Sequence, residues 1–210
     1  MIFELSSFLL FLVTALLIAI TPGPGIFYVA ARTLAGGYSE GIASSFGTGL
    51  GGCVHIVAGA LGVSALVMAS AEAFTILKLV GAIYLVWLGF KTIREAKVDA
   101  PSNVATTGAG RAFREGVLVE ALNPKTAAFF LAFIPQFVTP SAGNVALQFA
   151  VLGLVSVTLN TLVDVVVAFM AARARDGFSR RPKIIRRIRE TSGLVMCGLG
   201  AALAFARRPV

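Results

Sequence analysis

"LLIAITPGPGIFYVAAR", residues 16–32, sets Pro22, Gly23, Pro24 and Gly25 inside an apolar run long enough to cross a bilayer. Proline removes a backbone donor and clashes with the preceding helical turn. Lipid supplies no water to satisfy the carbonyls so freed, and irregular backbone at that depth survives only against protein or a wet cavity. The stretch therefore predicts an interrupted span. Carbonyls around Ala19 and Ile20 are expected to lose their helical partners. A half-helix restarting at Gly25 points its free N–H groups, the positive dipole end, into a cavity where a carboxylate is at home.

The rest of the chain has the same solvent in view. It is 57% apolar with a mean hydropathy of +0.88 and only 13% charged residues, against about 25% charged in a soluble domain. The expected fold class is an all-α integral membrane protein. Six apolar stretches place helices at about 5–31, 42–71, 74–92, 114–137, 145–172 and 190–206, most of them near the roughly 20 residues a span needs. Their apolar character is continuous, which excludes the alternating pattern of a transmembrane barrel. The opening "MIFELSS" has no Lys or Arg and no small-residue cleavage pattern follows, so the first stretch reads as a retained helix rather than a signal peptide.

A net charge of +8 suggests nucleic acid until the basic residues are placed. Fourteen of the eighteen lie in loops expected after the first, third and fifth helices: Arg32, then Lys91 to Arg114, then Arg173 to Arg189. By the positive-inside bias these loops are cytoplasmic and both termini face outward. "SRRPKIIRRIRE" reads as an orientation signal that can also meet anionic membrane lipid. No nucleic-acid partner is expected. Cys53 and Cys197 sit in different stretches without metal-ligand spacing, so no metal and no cofactor is implied.

Placing Pro22 on Pro124 aligns "ITPGPGIFYVAARTL" with "LNPKTAAFFLAFIPQ", and Gly81 then falls on Gly193 in the third and sixth helices. Two three-helix repeats are expected, 1–98 and 112–210, joined by a cytoplasmic linker at 99–111. Three is odd, so the second repeat enters the membrane inverted. Secondary transporters built this way bind substrate near the midplane, at interrupted helices in corresponding positions of the halves. At 1.5 Å per residue, Thr21 lies roughly 16 Å from Arg32 and Asn123 roughly 13 Å from Arg114, which puts both breaks near mid-membrane.

Candidate site residues follow: Thr21, Pro22, Gly23, Pro24 and Gly25 at one break, Asn123, Pro124 and Lys125 at the other. The fifth helix adds Asn160 and Asp164, which share one face with Ser156 at four-residue spacing. An embedded carboxylate faces the bundle interior with a partner. Lys125 is the leading partner for Asp164, either as a structural pair or beside a role for Asp164 in binding an ammonium or a coupling proton. Glu120 and Lys78 read as structural residues near helix ends, with side chains reaching toward the interface. His55 lies on a stripe with Gly47, Gly51 and Gly59, read as a packing seam, where the histidine donates a buried hydrogen bond or relays protons. Whether such stripes pack within one chain or between copies in a homo-oligomer is open.

The blocks "TPGP", "GLGGCVH", "LKLVGAIYLVWLG" and "FREGVLVEALNPKTAAFFLAFIPQFV", with the Asp164 face and the "SG" opening of the sixth helix, resemble the lysine-exporter and homoserine/threonine-efflux (LysE/RhtB) family. The resemblance spans nearly the whole chain. It implies an amino-acid exporter of the bacterial inner membrane, proton-driven, with its site around the two breaks. One clear acidic site beside a lysine favours neutral amino acids over basic ones. The expected mechanism docks the substrate carboxylate on the N–H groups beyond "TPGP" and its ammonium on Asp164 or the freed carbonyls.

Two other classes fit parts of the pattern. A thiol-disulfide carrier requires a cysteine beside each break, where this chain has Thr21 and Asn123. A channel, or an exporter of another small solute or a metal ion, can also use interrupted helices.

Overall fold

A computed structural model describes residues 4–69, 71–95, 105–173 and 182–205. The described residues are helical apart from short connections: α1 (Leu5–Ile20), α2 (Pro24–Ala69), α3 (Ala71–Glu95), α4 (Ala109–Ala121), α5 (Pro124–Ala128), α6 (Val145–Arg173) and α7 (Pro182–Phe205). A single π turn, Phe129–Phe133, and a 3₁₀ turn, Ile134–Phe137, continue α5. By length and composition α6, a stretch within Pro24–Gly62 of α2, and α4 taken together with Pro124–Phe137, bent by 41°, can cross a membrane.

Both expected interruptions are present, and they match in backbone detail. Thr21 has φ −72°, ψ 111° and Asn123 has φ −72°, ψ 112°. Each precedes a proline, whose ring pushes the residue before it out of the helical region.

The chain departs from the expected boundaries between 32 and 41. No loop lies there: α2 runs from 24 to 69 with one non-helical residue, Gly37, at φ 75°. The segment is nonetheless a hairpin. A Cβ placed on Gly41 would stand 2.2 Å from Thr33 Oγ1, although eight residues of straight helix span about 12 Å. Only a residue free to take positive φ reverses the chain in one step. Arg32 is thus helical rather than in a loop, with its side chain 11% exposed and paired with Glu115.

Two other boundaries shift. α4 begins at Ala109, inside the segment expected as linker, of which only 105–111 is described. α7 begins at Pro182, so "PKIIRRIRE" is helical rather than a loop, with Arg186 Nε 2.7 Å from Glu190 Oε1. Proline is favoured in the first turn, and the residues after it are good helix formers. The basic positions Lys97, Arg175, Arg180, Arg181, Arg207 and Arg208 lie outside the described residues.

Large apolar side chains cover the exterior, and the interior sets a group of buried polar and charged residues beside an apolar core around Phe11, Leu85, Phe129 and Phe149. Leu9, Leu16, Phe46, Ile83, Trp87, Leu122 and Leu162 are exposed, whereas Thr33, Ser44, Thr48, Glu120, Asn123, Lys125 and Asp164 are buried. Exposed apolar surface on this scale marks a lipid-facing wall.

Glycines set the close approaches inside it. α2 packs along α4 through Gly47 and Gly51, where a Cβ would meet the carbonyl oxygens of Phe113 and Val117 at 2.2 and 2.4 Å. α2 also packs on α6, where Gly59 meets the Phe149 ring. The stripe through His55 is therefore a seam within one chain. α3 packs on α7 in antiparallel register, with Gly89 against Gly193 and Ala82 against Gly200.

The α2 hairpin also holds α4. Gly108, the residue before α4, has no side chain with which to cap it; Glu40 Oε1 accepts instead from the N–H groups of Thr107 (2.8 Å) and Gly108 (2.7 Å). Arg32 stands 4.0 Å from Glu40 Oε2 and also donates to the Ala105 carbonyl. Glu40→Ala removes this cap and should destabilise the protein by about 1–2 kcal/mol, within the range for a lost helix cap. Thermal unfolding in detergent reads the change; an unaltered melting temperature would show that the contact carries no stability.

Candidate functional site

The two breaks lie against each other, and each fills the gaps of its surroundings in the same way. Pro22 leaves Ile18 O without its normal donor, and Pro124 does the same to Glu120 O. Ile18 O takes Thr21 N at 3.2 Å and, from across the molecule, Lys125 Nζ at 3.2 Å. Glu120 O takes Asn123 N at 3.0 Å and, from α2, His55 Nε2 at 2.9 Å. A carbonyl can only accept, so His55 carries its proton on Nε2. Ala19 O and Ile20 O gain no backbone partner among the described residues, as expected, while Ile18 O and Thr21 O are the freed carbonyls that Lys125 Nζ fills, the latter at 2.8 Å.

The lysine is held there by sequence and space together. Asn123 caps the first turn of α5, its side chain accepting from Lys125 N at 3.0 Å. The Lys125 stem then passes Gly23 so closely that a Cβ on Gly23 would lie 3.2 Å from its Cδ and Cε.

Glu120 does not reach toward the interface. It is 2% exposed, because α4 ends one residue later and places it at the break rather than at the end of a long span. Its carboxylate accepts from Asn123 Nδ2 at 2.8 Å and Thr126 Oγ1 at 2.6 Å. A Cβ on Gly25 would lie 2.5 Å from Glu120 Oε2. The place expected to attract a ligand's carboxylate, the start of α2, thus already has a protein carboxylate beside it. Lys125 stands at the carbonyl end of one half-helix and Glu120 at the N–H end of the next, each of the sign its dipole favours.

Asp164 and Lys125 form no ion pair, because each has other partners. Asp164 Oδ2 accepts from Thr48 Oγ1 at 2.7 Å and faces Asn160 Nδ2 at 3.5 Å; its Oδ1 is buried without a hydrogen bond. The expected face of α6 is real, with Ser156 and Asp164 buried and Asn160 half-buried.

Between these groups lies a cavity of about 20 Å³. Its polar lining is Thr48, Glu120, Thr126, Ser156 and Asn160, and Ile18, Phe129 and Phe130 close it on the apolar side. It draws on α1, α2, α4, α5 and α6. Of the residues expected to bind substrate, Asn160 lines it; Thr21, Gly23, Asn123 and Lys125 meet one another behind it. Thr48, Glu120, Thr126 and Ser156 are the additions. The "E-x-x-N-P-x-T" spacing placed Glu120 and Thr126 at the second break, but only the fold turns their side chains inward.

Comparison with known proteins agrees with this architecture. Residues 16–207 match the family model described as LysE type translocator. A homoserine/homoserine lactone efflux protein of Salmonella typhimurium is 34% identical over 200 residues, covering 94% of this chain and 95% of that protein. An uncharacterized membrane protein of Vibrio cholerae is 34% identical over 206 residues, 97% and 99% of the two chains. A leucine efflux protein of Klebsiella pneumoniae is 27% identical over 210 residues, 96% of each. No solved structure matches. With apolar walls, two matched helix breaks and a polar centre between them, the chain belongs to the LysE type translocator family.

Proposed function

We propose that this translocator is a secondary active exporter of amino acids or close derivatives, proton-coupled and favouring neutral substrates, in the bacterial cytoplasmic membrane. The observation that carries the reading is a small cavity beside two matched helix breaks, with Thr48, Glu120, Thr126, Ser156 and Asn160 among its lining. At about 20 Å³ it has room for about one water, so a substrate enters only if the elements around it part. That requirement suits alternating access and disfavours an open channel. The amino-acid class rests on the printed names of the efflux relatives.

In this reading α1 with the first arm of α2, the second arm of α2, and α3 form one inverted repeat; α4 with α5, α6, and α7 form the other, with both termini outside. The matched angles at Thr21 and Asn123 and the antiparallel α3–α7 pairing support it. The site comprises the two breaks, residues 21–25 and 123–125, with Asn160 and Asp164, to which the cavity adds Thr48, Glu120, Thr126 and Ser156. Lys125 and His55 hold the breaks in shape.

The test is efflux from proteoliposomes preloaded with single amino acids, across an imposed pH gradient. At least one neutral amino acid should leave faster than from protein-free vesicles, with a rate that follows the gradient. Equal rates for every amino acid, or rates indifferent to the gradient, would overturn the reading in its substrate or its coupling respectively.

A further inference from the structure

Three charged side chains are buried at the centre, Glu120 in the cavity lining and Asp164 and Lys125 outside it, exposed by 2%, 0% and 3%. That is one more carboxylate than cation. Among the described residues none of the three forms an ion pair with another. A buried charge without a counter-charge is costly, and such a site is neutral only when a cation or a proton joins it. His55, the other titratable side chain beside Glu120, donates to that residue's backbone carbonyl rather than to its carboxylate.

The acceptors near the breaks for a ligand's ammonium group are the freed carbonyls at the end of α1 and the carboxylates of Asp164 and Glu120, and only a carboxylate also supplies the opposite charge. The freed carbonyls of Ile18 and Thr21 are taken by Lys125 Nζ. Asp164 stands behind Thr48 and does not line the cavity. Glu120 does line it, and its two oxygens accept from neutral donors alone, Asn123 and Thr126. On the opposite wall Ser156 Oγ is buried with no hydrogen bond, and Asn160 lies beside it in the lining. These are neutral donors of the kind that suits a carboxylate.

We propose that Glu120 receives the ammonium group of the substrate, and that the Glu120–Asp164 pair takes up a proton when the ammonium leaves. The substrate class is then a small molecule with a primary ammonium group beside a carboxylate. The zwitterion carries no net charge, so each exchange exports a neutral molecule and admits one proton; no covalent bond changes, and export is tied to proton entry because ammonium and proton compete for the same carboxylate. Lys125 is a fixed counter-charge in this scheme and does not bind the ligand. The proposal rests on the exporter reading above and names the residue that recognises the substrate.

The experiment compares an exported amino acid with its 2-hydroxy acid, which keeps the carboxylate and replaces the ammonium, as competitors for transport in proteoliposomes. Wild-type protein should prefer the amino acid at least tenfold. Glu120→Gln, similar in shape, keeps an acceptor oxygen for Asn123 and turns its amide N–H toward the Thr126 hydroxyl, which can accept; it should bring that ratio close to one, whereas Glu120→Asp should keep the preference with weaker binding. A role in folding alone would lower activity without changing the ratio. On wild-type protein, labelling by dicyclohexylcarbodiimide followed by peptide mass mapping should show Glu120 protected by the amino acid and not by the hydroxy acid. An unchanged ratio in Glu120→Gln, its collapse in Asp164→Asn alone, or labelling of Glu120 indifferent to substrate would overturn the assignment while leaving the exporter reading intact. A wild-type protein that moves no amino acid would overturn both.

Discussion

Lys125→Met should abolish export and lower the melting temperature of the purified protein. Methionine keeps most of the stem's volume and its place beside Gly23, but it has no ammonium to satisfy Thr21 O and to share Ile18 O. Ile18 O keeps Thr21 N as a donor, so one carbonyl is left bare rather than two. An orphaned buried acceptor costs about 1–3 kcal/mol. The larger effect is electrostatic, because the substitution removes the one cation beside Glu120 and Asp164. Two buried carboxylates are then left without a counter-charge, which is costly. The variant should therefore lose transport at every pH at which the wild type works. Lys125→Arg should not rescue it, since the Gly23 passage is already filled to 3.2 Å by a slimmer stem. Efflux and thermal unfolding of the two variants check this together; wild-type export by Lys125→Met would remove the lysine from the site.

Gly51→Leu should prevent folding altogether. The Cβ alone would stand 2.4 Å from Val117 O and 3.0 Å from Ala121 N. Both neighbours are backbone, so no side chain can swing aside and α4 must move as a body. Ordinary overpacking of a core costs about 1–3 kcal/mol, and a clash with helical backbone lies at or beyond the upper end. Displacing α4 would also carry Glu120 and Asn123 out of position. Gly198→Ala is the matching control, because a Cβ there meets nothing within 4 Å and alanine gains about 1 kcal/mol of helix propensity over glycine. Folded yield by size-exclusion chromatography separates the two. A monodisperse Gly51→Leu protein with wild-type stability would mean that the α2–α4 seam is looser than these distances require.

Much of the architecture was legible from residue types because its causes are local. The apolar runs name the solvent. Pro22, Pro24 and Pro124 break helices wherever they stand, since the missing N–H and fixed φ are covalent properties. The four-residue spacing of Ser156, Asn160 and Asp164 puts them on one helix face in any environment. The hairpin at Gly37 was harder to place. Arg32 to Glu40 reads as a polar gap between spans, but its alanine, leucine and arginine keep the helix going until a single glycine reverses it.

The pairings at the centre had no local signal. Lys125 and Asp164 are the two deep charges that stand out from the sequence, and proximity in a simple helix diagram invites a salt bridge. In the folded chain Lys125 reaches back 107 residues to Ile18 and 104 to Thr21, while Asp164 finds Thr48, 116 residues away. Glu120 looked like a residue near a helix end because the end of α4 at Ala121 is created by Pro124 three residues further on. By itself the sequence determined an all-helical membrane chain with two proline breaks in corresponding places, since propensity, hydropathy and proline geometry act within a few residues. Only the tertiary structure decided which side chains fill the freed carbonyls and which carboxylate faces the cavity, because a carbonyl stripped of its donor takes whichever cation or N–H the packing of distant helices brings to it.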